Sequence, residues 1–89
     1  LVVEITGRCG AGGIEPIPSL PLPAHVRGLV MQLGEYQSLA ADAAWSGSRV
    51  DAIRALCANP LVQQLPLAER LYGDLAEAHR RYLPDRLAA

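Results

Sequence analysis

The sequence has no Lys, no Phe, only two Cys and few aromatics, one Trp and three Tyr in 89 residues. All its cationic side chains are therefore Arg; eight of them against nine Asp and Glu give a formal net charge of −1. Near-zero charge argues against a nucleic-acid binder, which normally carries a basic face. It argues equally against an acidic disordered tail. The missing Lys points to a GC-rich coding bias and carries no mechanism. Two cysteines, Cys9 and Cys57, are too few for a disulfide scaffold. They read as free thiols of a reducing cytosol, with pairing between them as the alternative. No apolar run approaches the ~18 residues of a membrane span. The start, Leu1-Val2-Val3-Glu4, has no Met and no basic region ahead of an apolar one, so it does not read as a signal peptide. It reads as a cut into the middle of something larger.

What is present is apolar: 51% of the residues, much of it Ala and Leu, which favours a helical core. The length suits one small domain. Half apolar is a high share for a chain that buries only about two-thirds of its unfolded surface. The expected fold class is mainly α (α+β), with an N-terminal β hairpin followed by a long helix and two to three shorter helices. The organisation reads as a hairpin over 1–17, a proline-rich connector over 18–23 and a helical part over 24–83.

Leu1 to Thr6 alternates Val2/Glu4/Thr6 against Val3/Ile5, the period of a strand with one buried face. The glycine-rich run Gly7 to Gly13 reads as the hairpin turn, since glycine supplies the φ > 0 positions such turns need. Ile14 to Ile17 is the second strand, held to an edge by Pro16 and Pro18. Prolines 16, 18, 21 and 23 make the following stretch extended, close to polyproline II geometry.

From Ala24 to about Ser46, Val26, Leu29, Val30, Leu33, Tyr36, Ala40, Ala43 and Ala44 recur at spacings of three and four. That predicts a helix of about 34 Å whose first turn suits Pro23. Gly28 and Gly34 inside it call for close approach by another backbone, or are simply tolerated. Gly47 is placed to end the helix in a left-handed conformation. Ser48 is placed to cap the next helix, with Asp51 as its capping-box partner. That helix holds Val50, Ile53, Leu56 and Cys57 and breaks at Asn59-Pro60. Leu61 to Leu65 reads as a short turn or half-helix before Pro66. The last helix is expected from about Leu67 to Tyr82. Leu67, Leu71, Leu75, Ala78 and Tyr82 form its apolar face, and Glu77 and Arg81 an i,i+4 pair. Pro84 ends it.

No active site stands out. Gly10-Ala11-Gly12 follows a strand, but no helix follows the loop, so the phosphate-binding fingerprint is incomplete. Cys9, Cys57, His25 and His79 lack metal-site spacing. His79 reads as a structural histidine beside the last helix's apolar stripe, and Cys57 as a small buried hydrophobe. Glu35 and Asp42, two turns apart on one helix, read as solvated charges rather than the paired carboxylates of a glycosidase. No catalytic, cofactor-binding or metal-binding residue is assigned.

The order of the short motifs carries more than any one of them. Val3-Glu4-Ile5, Gly13-Ile14-Glu15-Pro16, Leu22-Pro23, Arg27-Gly28-Leu29-Val30 and Glu35-Tyr36 come first. Asp42-Ala43-Ala44, Ser46-Gly47, Asn59-Pro60-Leu61 and Ala78-His79-Arg80-Arg81-Tyr82-Leu83-Pro84 follow. In this order they resemble the C-terminal end of glycoside hydrolase family 4, over essentially the whole chain. The stretch from Val26 to Ala44 is most similar to the 6-phospho-β-glucosidases. There are departures: Thr6-Gly7 stands where a proline is common, Asp42 where Glu is usual, and Ser46-Gly47-Ser48 in place of Thr-Gly-Asp.

The resemblance implies a cytoplasmic enzyme that cleaves phosphorylated glycosides by oxidation and elimination, using NAD and a divalent metal, usually manganese. This family is an exception to the two-carboxylate scheme of glycoside hydrolysis. The dinucleotide loop, the metal-binding Cys and His and the catalytic Tyr of the family lie upstream, so Cys9, His25, His79 and Tyr36 inherit no role. The implied partners are an upstream nucleotide-binding domain of the same chain, further copies in a homo-oligomer and a phosphorylated sugar, with no nucleic acid and no membrane. The fragment itself is expected to be inactive, without bound cofactor, and to leave an apolar face exposed on the long helix or the hairpin, or to cover it by self-association. The alternatives are an α-glucosidase/galacturonase-type member of the family, or a stand-alone helical interaction module.

Overall fold

The structure, a computed structural model, describes residues 3–88. A hairpin of β1 (Gly7–Gly10) and β2 (Gly13–Pro16) leads through an extended connector into α1 (Ala24–Ser46). Then follow α2 (Arg49–Ala58), α3 (Leu65–Ala78), a 3-10 turn (Arg80–Tyr82) and α4 (Asp85–Ala88). The fold class is the expected one, helical with an N-terminal antiparallel hairpin.

The hairpin sits further along the chain than the period-two pattern placed it. Val3 to Thr6 form no strand, and Leu1 and Val2 lie outside the described residues. The glycine-rich run makes both strands, and only Ala11 and Gly12 turn the chain. Gly13, at φ +113, takes a glycine conformation that a side chain would strain. Nor does the strand bury a face: every residue of β1 and β2 is exposed.

α1 has the expected bounds. Pro23 precedes it, and the Pro23 carbonyl accepts from the Val26 and Arg27 amides. The Arg27 guanidinium donates to the Leu22 carbonyl at 2.9 Å and fastens the connector to the first turn. Gly47 ends the helix for a reason other than the one its sequence position implies. It is extended, at φ −83 and ψ −170, not left-handed. A Cβ there would lie 2.5 Å from the Ala43 Cα and 2.9 Å from its carbonyl oxygen. Glycine is needed because the chain folds back against α1. Gly28 faces open space, whereas Gly34 is buried.

The Ser48–Asp51 capping box is formed: each side chain accepts from the other's backbone amide at 3.3 Å. At the far end of α2, the Gln32 side chain donates to the Ala58 carbonyl at 3.2 Å. α3 starts earlier than expected, with Pro66 inside its first turn, where its missing N–H costs nothing. It also ends earlier, at Ala78, and Tyr82 belongs to the 3-10 turn. Another helical turn, α4, lies beyond Pro84, past residue 83 where the helical part was expected to end.

The core is small. Ile53, Ala68, Tyr72 and Ala76 form it, with Leu56, Cys57, Val62 and Leu83 packed around. The buried face of α3 is therefore Ala68, Tyr72 and Ala76, one position round from the expected leucine stripe. Leu67 and Leu71 are only half-buried, and Leu75, Ala78 and Tyr82 are exposed. Alanines at the centre let α3 approach α2 closely, and the leucines flank that contact. The expected Glu77–Arg81 pair is replaced by an exposed Glu77–Arg80 pair at 3.6 Å, worth at most ~1 kcal/mol.

Much of the apolar inventory stays outside. Leu29, Leu33 and Leu39 on α1 are exposed, and Leu20, Trp45 and Leu61 are about nine-tenths exposed. The radius of gyration is 17.1 Å, against about 12 Å for a compact chain of this length.

Substitutions at two glycines should have opposite effects on stability. Gly47→Ala should destabilise the helical part by ~1–3 kcal/mol through overpacking against Ala43. Gly28→Ala should stabilise it by ~0.5–1 kcal/mol, because an exposed helix interior gains from the added methyl. Denaturant unfolding of both variants checks the opposite signs.

Candidate functional site: an apolar cleft between α1 and α3

α2 packs on both α1 and α3 and holds them apart, leaving a cleft of about 280 Å³. Small residues line it: Ala40, Ala43 and Ala44 from α1, Ala52 and Ala55 from α2, and Ala76 from α3. Leu56, Leu75, Leu83 and Leu87 also line it. Polar groups enter only at Tyr36, Tyr72 and His79.

α4 closes one end through two polar ties. The Tyr72 hydroxyl, on a buried side chain, donates to the Leu87 carbonyl. The Arg86 guanidinium donates to the Trp45 and Gly47 carbonyls at 3.2 and 3.1 Å. Those carbonyls belong to the C-terminal end of α1, where the helix dipole favours a cation. Arg49 of α2 lies over the Tyr72 ring, 5.7 Å from its centroid. Sequence reading missed this cluster. The one available signal was Tyr72 spaced four residues from both Ala68 and Ala76.

The residues weighed for chemistry are scattered. Cys9 is exposed on β1, His25 is exposed in the first turn of α1, and Cys57 is half-buried against the core. Both cysteines are free. His79 follows the last residue of α3 and is exposed at the cleft margin, where a partly buried structural histidine is the sequence expectation. Glu35 and Asp42 are exposed on α1, and Tyr36 is half-buried in the cleft wall. The side chain–side chain hydrogen bonds among the described residues are Ser48–Asp51 and Arg81–Tyr82, so none of these candidates pairs with another.

No group of three or more His, Cys, Asp or Glu that could hold a metal occurs among the described residues. The glycine loop continues into β2, and no helix N-terminus faces it. Among the described residues, neither a metal-ligand cluster nor a glycine loop opening onto a helix is assembled. Among the described residues, no helix is long and apolar enough to cross a membrane. The cleft offers mainly apolar contact area, with Tyr36, Tyr72 and His79 as its polar side chains.

Against this geometry, likeness to known proteins is specific. Residues 1–62 match the family described as "Family 4 glycosyl hydrolase C-terminal domain", and the chain belongs to that family. It is 40% identical over 82 residues to the "Probable 6-phospho-beta-glucosidase" of Bacillus subtilis (strain 168), covering 92% of this chain and 19% of that protein. It is 35% identical over 82 residues to the "Phospho-alpha-glucosidase PagL" of Clostridium acetobutylicum, covering 92% and 18%. It is 33% identical over 84 residues to the "6-phospho-beta-glucosidase" of Escherichia coli (strain K12), covering 93% and 19%. The chain thus spans about a fifth of the length of the curated relatives it matches. No solved structure matches it.

Tyr72→Phe leaves the Leu87 carbonyl without its partner and should cost ~1 kcal/mol. Arg86→Ala should mainly raise hydrogen exchange of the Leu87 and Ala88 amides, with little effect on the α2–α3 core. Exchange as rapid as the variant's in the unaltered chain would show that α4 is not held down by Arg86.

Proposed function

We propose that this chain is the C-terminal portion of a longer cytoplasmic polypeptide, a 6-phospho-β-glucosidase-like glycoside hydrolase. Its residues supply structure and interface rather than catalysis. The match of residues 1–62 to the C-terminal domain of the family carries this reading. Two of the relatives bearing the 6-phospho-beta-glucosidase name support the substrate class.

In this reading NAD and a divalent ion, manganese, serve the longer protein and are held outside residues 1–89. No step of the reaction is assigned to a residue of this chain. The upstream nucleotide-binding domain and further copies in a homo-oligomer are its partners, and a phosphorylated sugar is the substrate of the whole. A second reading has its own support: the relative named phospho-alpha-glucosidase is 35% identical, so an α-linked substrate is the rival.

The deciding assay gives the full-length protein NAD and manganese with paired α- and β-linked 6-phosphoglucosides. Turnover of the β-linked member supports the proposal, turnover of the α-linked member alone supports the rival, and turnover of neither overturns both. In calorimetry, the 89-residue chain alone should show no NAD binding; measurable affinity would contradict its non-catalytic assignment.

A further inference from the structure

The hairpin is a two-stranded sheet whose residues are all exposed. Its register pairs Gly7 with Pro16, Arg8 with Glu15, Cys9 with Ile14 and Gly10 with Gly13. Just before it, the Ile17 amide donates to the Thr6 carbonyl at 2.9 Å. Hydrogen-bonded and non-hydrogen-bonded pairs alternate along an antiparallel ladder. Arg8–Glu15 is then a bonded pair, while Gly7–Pro16 and Cys9–Ile14 turn their backbone groups outward. Pro16, which has no N–H to give, stands at one of these outward positions.

The two outer edges are consequently unequal. β2 offers Ile14 but is blocked at Pro16, a usual way of guarding an edge. β1 offers the N–H and C=O of both Gly7 and Cys9. The faces are unequal too. Residues in direct pairs, and those two apart, share a face, so Cys9, Ile14 and Pro16 lie together. Ile14 covers Gly7, where an added Cβ would lie 3.2 Å from the Ile14 Cγ2. The other face carries Arg8 and Glu15. Ile14 is 76% exposed on a two-stranded hairpin, an arrangement marginal in water by itself.

We propose that a third strand pairs with the outer edge of β1, and that it comes from the part of the same polypeptide outside residues 1–89. The inference rests on the reading of this chain as a portion of a longer enzyme. The curated relatives are about five times the length of the matched region, so ample chain exists to supply the strand. A second copy of this chain is the competing donor.

Residue-resolved hydrogen exchange on the full-length protein tests this. The Gly7 and Cys9 amides should exchange on the order of 100-fold or more slowly than an unstructured amide. The slowing should be the same at all protein concentrations. Exchange of both at the unstructured rate would overturn the proposal. Protection that disappears on dilution to monomers would overturn it as well, since the donor is then a second copy. Assay of the same sample on phosphoglucosides separates the two claims. Activity with unprotected Gly7 and Cys9 removes only the third strand, and protection without activity removes only the enzymatic reading.

Discussion

The helical part depends on the close packing of α3 on α2, where Tyr72 and two alanines meet Ile53. Tyr72 joins this contact to the rest. Its ring is buried in the core, Arg49 lies over it, and its hydroxyl holds the carbonyl of Leu87. α4 in turn reaches the end of α1 through Arg86. One side chain thus links α2, α3 and α4, and through Arg86 the far end of α1. Because the central residues are small, the helices approach closely without filling the space between α1 and α3, and the alanine-lined cleft is what remains.

That economy has a consequence for the whole chain. A few residues of modest size form the core, while leucines on α1, the hairpin isoleucine and the lone Trp45 face outward. Isolated exposed hydrophobics are normal on any protein. Here they include Ile14 of the hairpin, Leu20 of the connector and Leu29, Leu33, Leu39 and Trp45 of α1, around more than one side of that helix. In the proposed reading, the rest of a longer protein covers part of these side chains. Membership of a C-terminal domain family, over a fifth of the relatives' length, points the same way.

Local signals were legible in the sequence wherever short-range chemistry decides. Ser48 and Asp51 marked the start of α2, and the spacing from Val26 to Ala44 marked α1. What sequence reading misplaced depends on neighbours. The α3 stripe was centred on leucines because hydrophobicity weights them, but contact with α2 selects the smaller Ala68 and Ala76. Gly47 was read for left-handed freedom, whereas its Cβ-free surface is what the turn uses. The glycine-rich run became strand because pairing, absent from local propensity, outweighs the turn preference of glycine. Arg86, 39 residues from Gly47, had no local signature at all. For function, the order of weak motifs identified the family, and individual candidates such as Cys9 and His79 led nowhere.

The central claim is that these 89 residues leave apolar surface open for other protein to cover. Small-angle scattering of the isolated chain over a concentration series tests it most directly. The account predicts a radius of gyration near 17.1 Å at the lowest concentration and an apparent mass that rises with concentration. A monomer of about 12 Å whose mass stays constant throughout would contradict it.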